Sequence, residues 1–228
     1  MKYISILVLA LSLVACSTTK TVKEEPFTVD FDSPKFPVGT VEAQFEKIVN
    51  IAGLRTLNVT VEYFPLEDAV CLQYRLDFMT FYMYLDADGR AAFVSALEQY
   101  KEDFANKSLE VKGSKKTRRK YGNVEIYLIW QAFSYTVRAK TNTFIDYGYD
   151  IRAVSKNRAS FFTIYRREAI FRDKNLSEQD RRVAPNEVMY FTRAQADELA
   201  ALFDQELLKS LNTGNIKKNT GHVVPDVY

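Results

Sequence analysis

Residues 71–104 read CLQYRLDFMTFYMYLDADGRAAFVSALEQYKEDF, and the spacing of apolar residues changes period within this one stretch. Leu72, Tyr74, Leu76 and Phe78 alternate with Gln73, Arg75 and Asp77, as in a strand with one buried face. Phe81, Met83 and Leu85 continue the alternation in a new phase, which predicts a turn or bulge at Met79-Thr80. From about Ala87 to Phe104 the period becomes helical, with Phe93, Ala96, Leu97, Tyr100 and Phe104 along one side.

The same signals extend outward. Leu57, Val59, Val61 and Tyr63 predict a strand, and Pro65 to Asp68 a turn. Thr40 is expected to cap a helix in which Phe45, Ile48, Val49 and Ala52 share a face and which Gly53 ends. Towards the C-terminus, Val124, Ile126, Leu128 and Trp130 alternate. Further strand-like segments cover 133–137, 145–154, 159–167 and 188–191. A last helix is expected from about Arg193 to Leu211, with Leu199, Leu202, Phe203 and Leu207 inward and a capping box of Thr192 and Gln195.

The segments MYLDADGRAAFVSALEQ (83–99) and MYFTRAQADELAALFDQ (189–205) align without a gap as strand end, cap residue and helix. The fold class expected is therefore α+β: an antiparallel, strand-rich domain over 40–211 with two amphipathic helices. A duplicated strands-then-helix unit (54–105 and 107–211) is one reading of the echo. The alternative is that any strand-cap-helix junction looks alike. The order resembles the ββββα folds of the PUR and Whirly kind in topology alone. An irregular tail is expected over 212–228.

The chain opens MKYISILVLALSLVACSTTK. Lys2 gives a positive start, and Tyr3 to Leu13 is an apolar run near the ~7–15 residues of a secretory leader and short of the ~20 that span a bilayer. Leu13-Val14-Ala15-Cys16 resembles the lipobox of bacterial lipoproteins. That resemblance implies removal of residues 1–15, a diacylglycerol on Cys16 and an acylated new amine. Residues 16–39 would then be the lipidated N-terminus and tether. Several acyl chains anchor a protein without any spanning helix. Ser17 stands where enteric bacteria place the Asp that retains such proteins in the inner membrane, so the analogy favours the outer membrane. The alternative is an ordinary cleaved leader with a chance cysteine.

With Cys16 acylated, Cys71 is the last thiol, which leaves no intramolecular disulfide. Its place at the head of a strand pattern predicts a buried, inert thiol. His222 is the single histidine and lies in the tail, remote from any triad or zinc set. Asp86-Ala87-Asp88-Gly89 departs from a calcium loop, because Ala91 and Leu97 stand where Gly and Glu belong. No nucleotide-binding or hydrolase motif is present, and no cofactor is expected. Glu62, Asp77 and Glu168 fall in strand patterns, with nothing to select a catalytic pair.

Charge is unevenly spread: residues 112–182 hold 17 basic and 7 acidic side chains, residues 16–111 hold 9 and 16. The basic excess is densest in KGSKKTRRKYGN (112–123). Lys112, Lys115, Lys116, Arg118, Arg119 and Lys120 are expected on an exposed hairpin loop between strands ending at Val111 and beginning at Val124. Such a loop can press on anionic head groups or grip an acidic partner. Nucleic acid is not expected, since Tyr121 is the one adjacent aromatic and export leads away from it. Tyr82 with Tyr84, and Tyr147 with Tyr149, form same-face pairs that can stack sugars or pack a sheet.

These features point to a membrane-anchored cell-envelope lipoprotein with a non-catalytic binding or scaffolding domain. The lipid bilayer is its partner through Cys16, and an anionic envelope component or envelope protein is a second. The alternatives are a cell-wall hydrolase with unidentified carboxylates, and a carrier of a small ligand or lipid in a pocket between the sheet and its helices.

Overall fold

Alternating apolar and polar residues dominate the chain, and the strands they form close on themselves. The computed structural model describes residues 26–46, 53–109, 118–132, 138–154, 157–172 and 182–216. In order these form β1 (Phe36–Glu46), β2 (Leu54–Phe64), β3 (Ala69–Leu76), β4 (Met79–Leu85), α1 (Ala87–Ala105), β5 (Arg118–Ala132) and β6 (Ala139–Val154). They continue as β7 (Asn157–Arg166), β8 (Ala169–Phe171), β9 (Arg182–Ala184), β10 (Glu187–Phe191), α2 (Arg193–Leu202) and α3 (Gln205–Ile216). Each of β1 to β6 pairs antiparallel with the next. β10 then pairs with both β7 and β1, through Gln44↔Tyr190 and Phe45↔Met189, and completes a closed eight-stranded barrel. β8 and β9 form a separate two-stranded ribbon.

Closure replaces the expected α+β arrangement and its two halves: one barrel holds the strands of both. The echo survives only as local geometry. Asp86 accepts from the Gly89 N–H at 2.7 Å, and Thr192 caps α2 in a reciprocal box with Gln195. The topological resemblance to the ββββα folds falls with the halves. β1 is the decisive difference, because residues 40–46 are strand where a helix was expected. Val41, Ala43 and Phe45 point inward at period two, so Phe45 belongs to this pattern rather than to a helical stripe. The rest of the expected helix, 47–52, lies outside the described residues.

Other boundaries also move. Asp77, with φ +53°, makes the β3–β4 turn, and Phe78 beside it is 60% exposed. The expected last helix divides at Phe203 and Asp204, whose carboxylate accepts from the Leu207 N–H at 2.8 Å. The break shifts the helical phase, so Leu208 is buried and Leu207 is not. The predicted strand at 133–137 lies outside the described residues.

Inward-facing residues fill the lumen. The Phe45, Tyr74 and Phe81 rings follow one another at 5.3 and 5.2 Å. An eight-stranded barrel is just wide enough for side chains to fill. Polar residues such as Glu42, Asn58, Thr60 and Gln73 point outward in register, the reverse of a lipid-facing barrel. α1 and α2 close one mouth: the Phe93 ring lies 5.6, 5.3 and 5.1 Å from Tyr147, Phe162 and Phe203. Buried Arg90 ties α1 to the β2–β3 turn and to α3, donating to the Asp68 carbonyl at 2.6 Å and to Gln205 Oε1 at 3.0 Å. Among the described residues no helix is long and apolar enough to cross a membrane.

Before β1 the chain crosses the outer wall as a strap. Val29, with Phe27 and Phe31, covers Phe64, Cys71, Tyr84, Tyr127 and Ile129 in a second apolar cluster. The Asn142 side-chain amide donates to the Phe27 carbonyl at 2.9 Å, and the Arg138 guanidinium sits 3.7 Å from the Phe31 ring centroid. Residues 27–39 are thus part of the folded body rather than of the tether expected over 16–39.

Candidate functional site

Arg118, Arg119 and Lys120 are strand rather than the expected loop: they are the first residues of β5. Lys112, Lys115 and Lys116 lie outside the described residues, as do Val111 and Cys16. The Arg119 guanidinium meets Asp103 at 2.7 Å, and the Lys120 ammonium meets Asp146 at 2.8 Å. The Tyr121 hydroxyl also donates to Asp103, at 2.7 Å. Burial alone would raise both carboxyls. Tyr121, Ser108 and Arg119 hold Asp103 below the ordinary value, and Lys120, Asn123 and Arg167 do the same for Asp146.

A groove lies at the helix-covered mouth. Phe104, Ala105, Lys107 and Leu109 at the end of α1, Ile151, Ala159 and Ser160 on β6 and β7, and Arg193 at the head of α2 enclose about 770 Å³. The floor is apolar and the cations are Lys107 and Arg193. The Arg193 guanidinium lies 3.9 Å from the Phe104 ring centroid, an exposed cation on an aromatic face. Lys107 is fixed by the helix terminus. Ser108 N–H donates to the Asp103 carbonyl at 2.9 Å and Lys107 N–H to that of Phe104 at 3.1 Å, the two bonds of a Schellman cap. In that cap Lys107 takes φ +54°, where glycine is the usual residue.

A second groove of about 320 Å³ lies on the outer face of β5, β6, β7 and β10. Arg119, Lys120, Asp146, Asp150, Thr163 and Tyr165 surround Gly148, whose missing side chain opens the floor. Two cations of the basic run, Arg119 and Lys120, thus line this groove. Sequence reasoning missed Lys107 and Arg193, which stand outside the run. The available signal was a helix ending at Asn106-Lys107-Ser108 with no glycine to cap it.

The tyrosine pairs separate. Tyr147 and Tyr149 point into the lumen, their hydroxyls donating to the carbonyls of Gly89 at 2.9 Å and Leu109 at 3.0 Å. Tyr82 and Tyr84 face outward beneath the strap. Cys71 is fully buried there, and burial pushes its thiol far up. The arrangement as a whole can hold a ligand with an apolar part and an anionic part by contact and charge.

The sequence model of a family described as "Uncharacterised Treponema protein" matches residues 29–210, from the strap to the later turns of α3. No curated protein and no solved structure matches the chain.

Proposed function

The chain belongs to that Treponema family, and we propose that it is a lipid-anchored cell-envelope protein whose barrel binds an anionic amphiphile without catalysis. The observation that carries this reading is the groove beside α1, apolar along Phe104, Leu109 and Ile151 and cationic at Lys107 and Arg193. Its volume lies within the ~300–1,000 Å³ of ligand pockets. The left-handed conformation of Lys107 fits a role for its ammonium group, because strained residues gather at sites of function. The groove also supports the carrier reading, with a ligand held between sheet and helices.

Attachment through Cys16 rests on the lipobox resemblance, and the outer membrane is the favoured location. Metabolic labelling with a fatty acid should be lost in Cys16→Ala, and persistent labelling sinks the anchor. For the groove, dodecyl phosphate titrated calorimetrically should bind the wild-type chain and bind Lys107→Gln/Arg193→Gln on the order of tenfold more weakly, as expected for two lost charge-assisted contacts. Equal affinity in the double variant sinks the groove. The basic run is probed apart by Lys115, Lys116, Arg118 and Arg119→Ala, which should flatten the salt dependence of binding to isolated envelopes. An unchanged salt dependence removes the run from the interaction.

A further inference from the structure

The lumen end opposite the helices is built around charge. Arg166 on β7 and Glu187 on β10 are register partners at inward-facing positions, and both are at least nine-tenths buried. Arg166 Nη2 donates to Glu187 Oε2 at 2.9 Å, and the Tyr74 hydroxyl donates to the same oxygen at 3.0 Å. The Arg166 guanidinium lies 4.7 Å from the Phe81 ring centroid, and Trp130 is the register partner of Phe81. On the other side Phe45 stacks near Tyr74 and is the register partner of Arg55. Arg55, Tyr74, Trp130, Arg166 and Glu187 thus ring one end of the lumen.

This ring leaves polar atoms without partners. Trp130 Nε1, Arg166 Nε, Arg55 Nε and Arg55 Nη2 are buried donors without a hydrogen-bond partner among the described residues, and so is the acceptor Glu187 Oε1. A buried polar group left dry forfeits the hydrogen bonds it had in water, so a cluster of them signals an occupant. The donors outnumber the acceptor, so the complement is a group rich in acceptors. Burial pushes the Glu187 carboxyl above its ordinary value, although Arg166 and Tyr74 pull it down. The way in lies at the Arg55–Asp77 pair, 2.8 Å apart, whose side chains keep 28% and 31% of their exposure.

We infer that this end of the lumen is a binding site for a small oxyanion, held by Arg55, Trp130 and Arg166 and entered past Asp77. The site is separate from the groove beside α1 and stands or falls independently of it. Trp130 is the single tryptophan of the chain, so its emission reports this site alone. The purified full chain is titrated with sodium acetate, and in parallel with sodium phosphate, at ionic strength held constant with chloride. A saturable change in Trp130 emission is expected. Saturation by acetate marks a carboxylate site, and saturation by phosphate a phosphate site. Arg55→Gln leaves the fully buried residues in place and should weaken binding at least tenfold. Arg166→Leu should abolish binding, but it strips a partner from buried Glu187 and can unfold the chain, so Arg55→Gln carries the decision. Absence of a saturable response to either anion, an equal response in Arg55→Gln, or crystallographic density for water alone at the four donors overturns the site.

Discussion

Lys107 shows what a single residue can trade. Its backbone sits in the left-handed region at the cap of α1. Lys107→Gly should raise stability by about 0.5–1 kcal/mol, because glycine adopts this conformation without a Cβ penalty. The same change should weaken dodecyl phosphate binding, so chemical denaturation and calorimetry on one variant test both halves. A stability gain with undiminished binding removes Lys107 from the groove. Glu187 makes the second residue-scale prediction. The folded chain keeps its proton over a window above 4.5 in which the unfolded chain has lost it. Stability from this group is therefore present below that window and lost as pH rises through it. Acidification from neutrality towards 4.5 should raise the urea midpoint of the wild type relative to Glu187→Gln, and parallel curves contradict the assignment. At lower pH the depressed carboxyls of Asp103 and Asp146 take over, and their contribution disappears as they protonate below 3.8. None of these roles could be read from sequence. Glu187 and Lys107 are ordinary polar residues until pairing puts one inside a barrel and a helix cap bends the other.

Among the elements, alternation is what the chain displays most openly. β2 to β5, α1 and the head of α2 were readable because apolar residues repeat at two or at three to four positions there. β1 was misread because Phe45 fits both a strand with Val41 and Ala43 and a helix with Ile48 and Val49. Only the partners β2 and β10 decide between the two. The basic run was visible, but its last three cations belong to β5, since pairing with β6 reaches back to Arg118↔Asp150. That pairing depends on Gly148. A Cβ there would lie 2.2 Å from the Arg119 carbonyl oxygen, a backbone atom that no rotamer change can move. Gly148→Ala should cost about 1–3 kcal/mol and distort the floor of the outer groove. A variant as stable as the wild type shows that β5 and β6 can separate there without loss.

At the scale of the whole molecule, strand periodicity announces a sheet but not whether its ends meet. Closure rests on the long-range pairs Gln44↔Tyr190 and Phe45↔Met189, and nothing local in sequence encodes them. The barrel cannot close until β10 finds β1, the kind of distant pairing that slows folding. A chain shortened to begin at residue 53 should leave β2 and β10 as open edges and associate through them, visible as oligomers in size-exclusion chromatography. A monodisperse monomer shows that the remaining strands close without β1. The strap adds a mechanical order to this architecture. A pull on the chain from its N-terminal side meets Phe27 to Phe31 before any barrel strand. Their grip is an amide bond from Asn142, a cation over Phe31 and an apolar patch, which give way one after another under tension. The β1 ladder, loaded along its length, must yield across many hydrogen bonds together. The strap is thus a fuse: it gives first under strain and lets the barrel keep its shape.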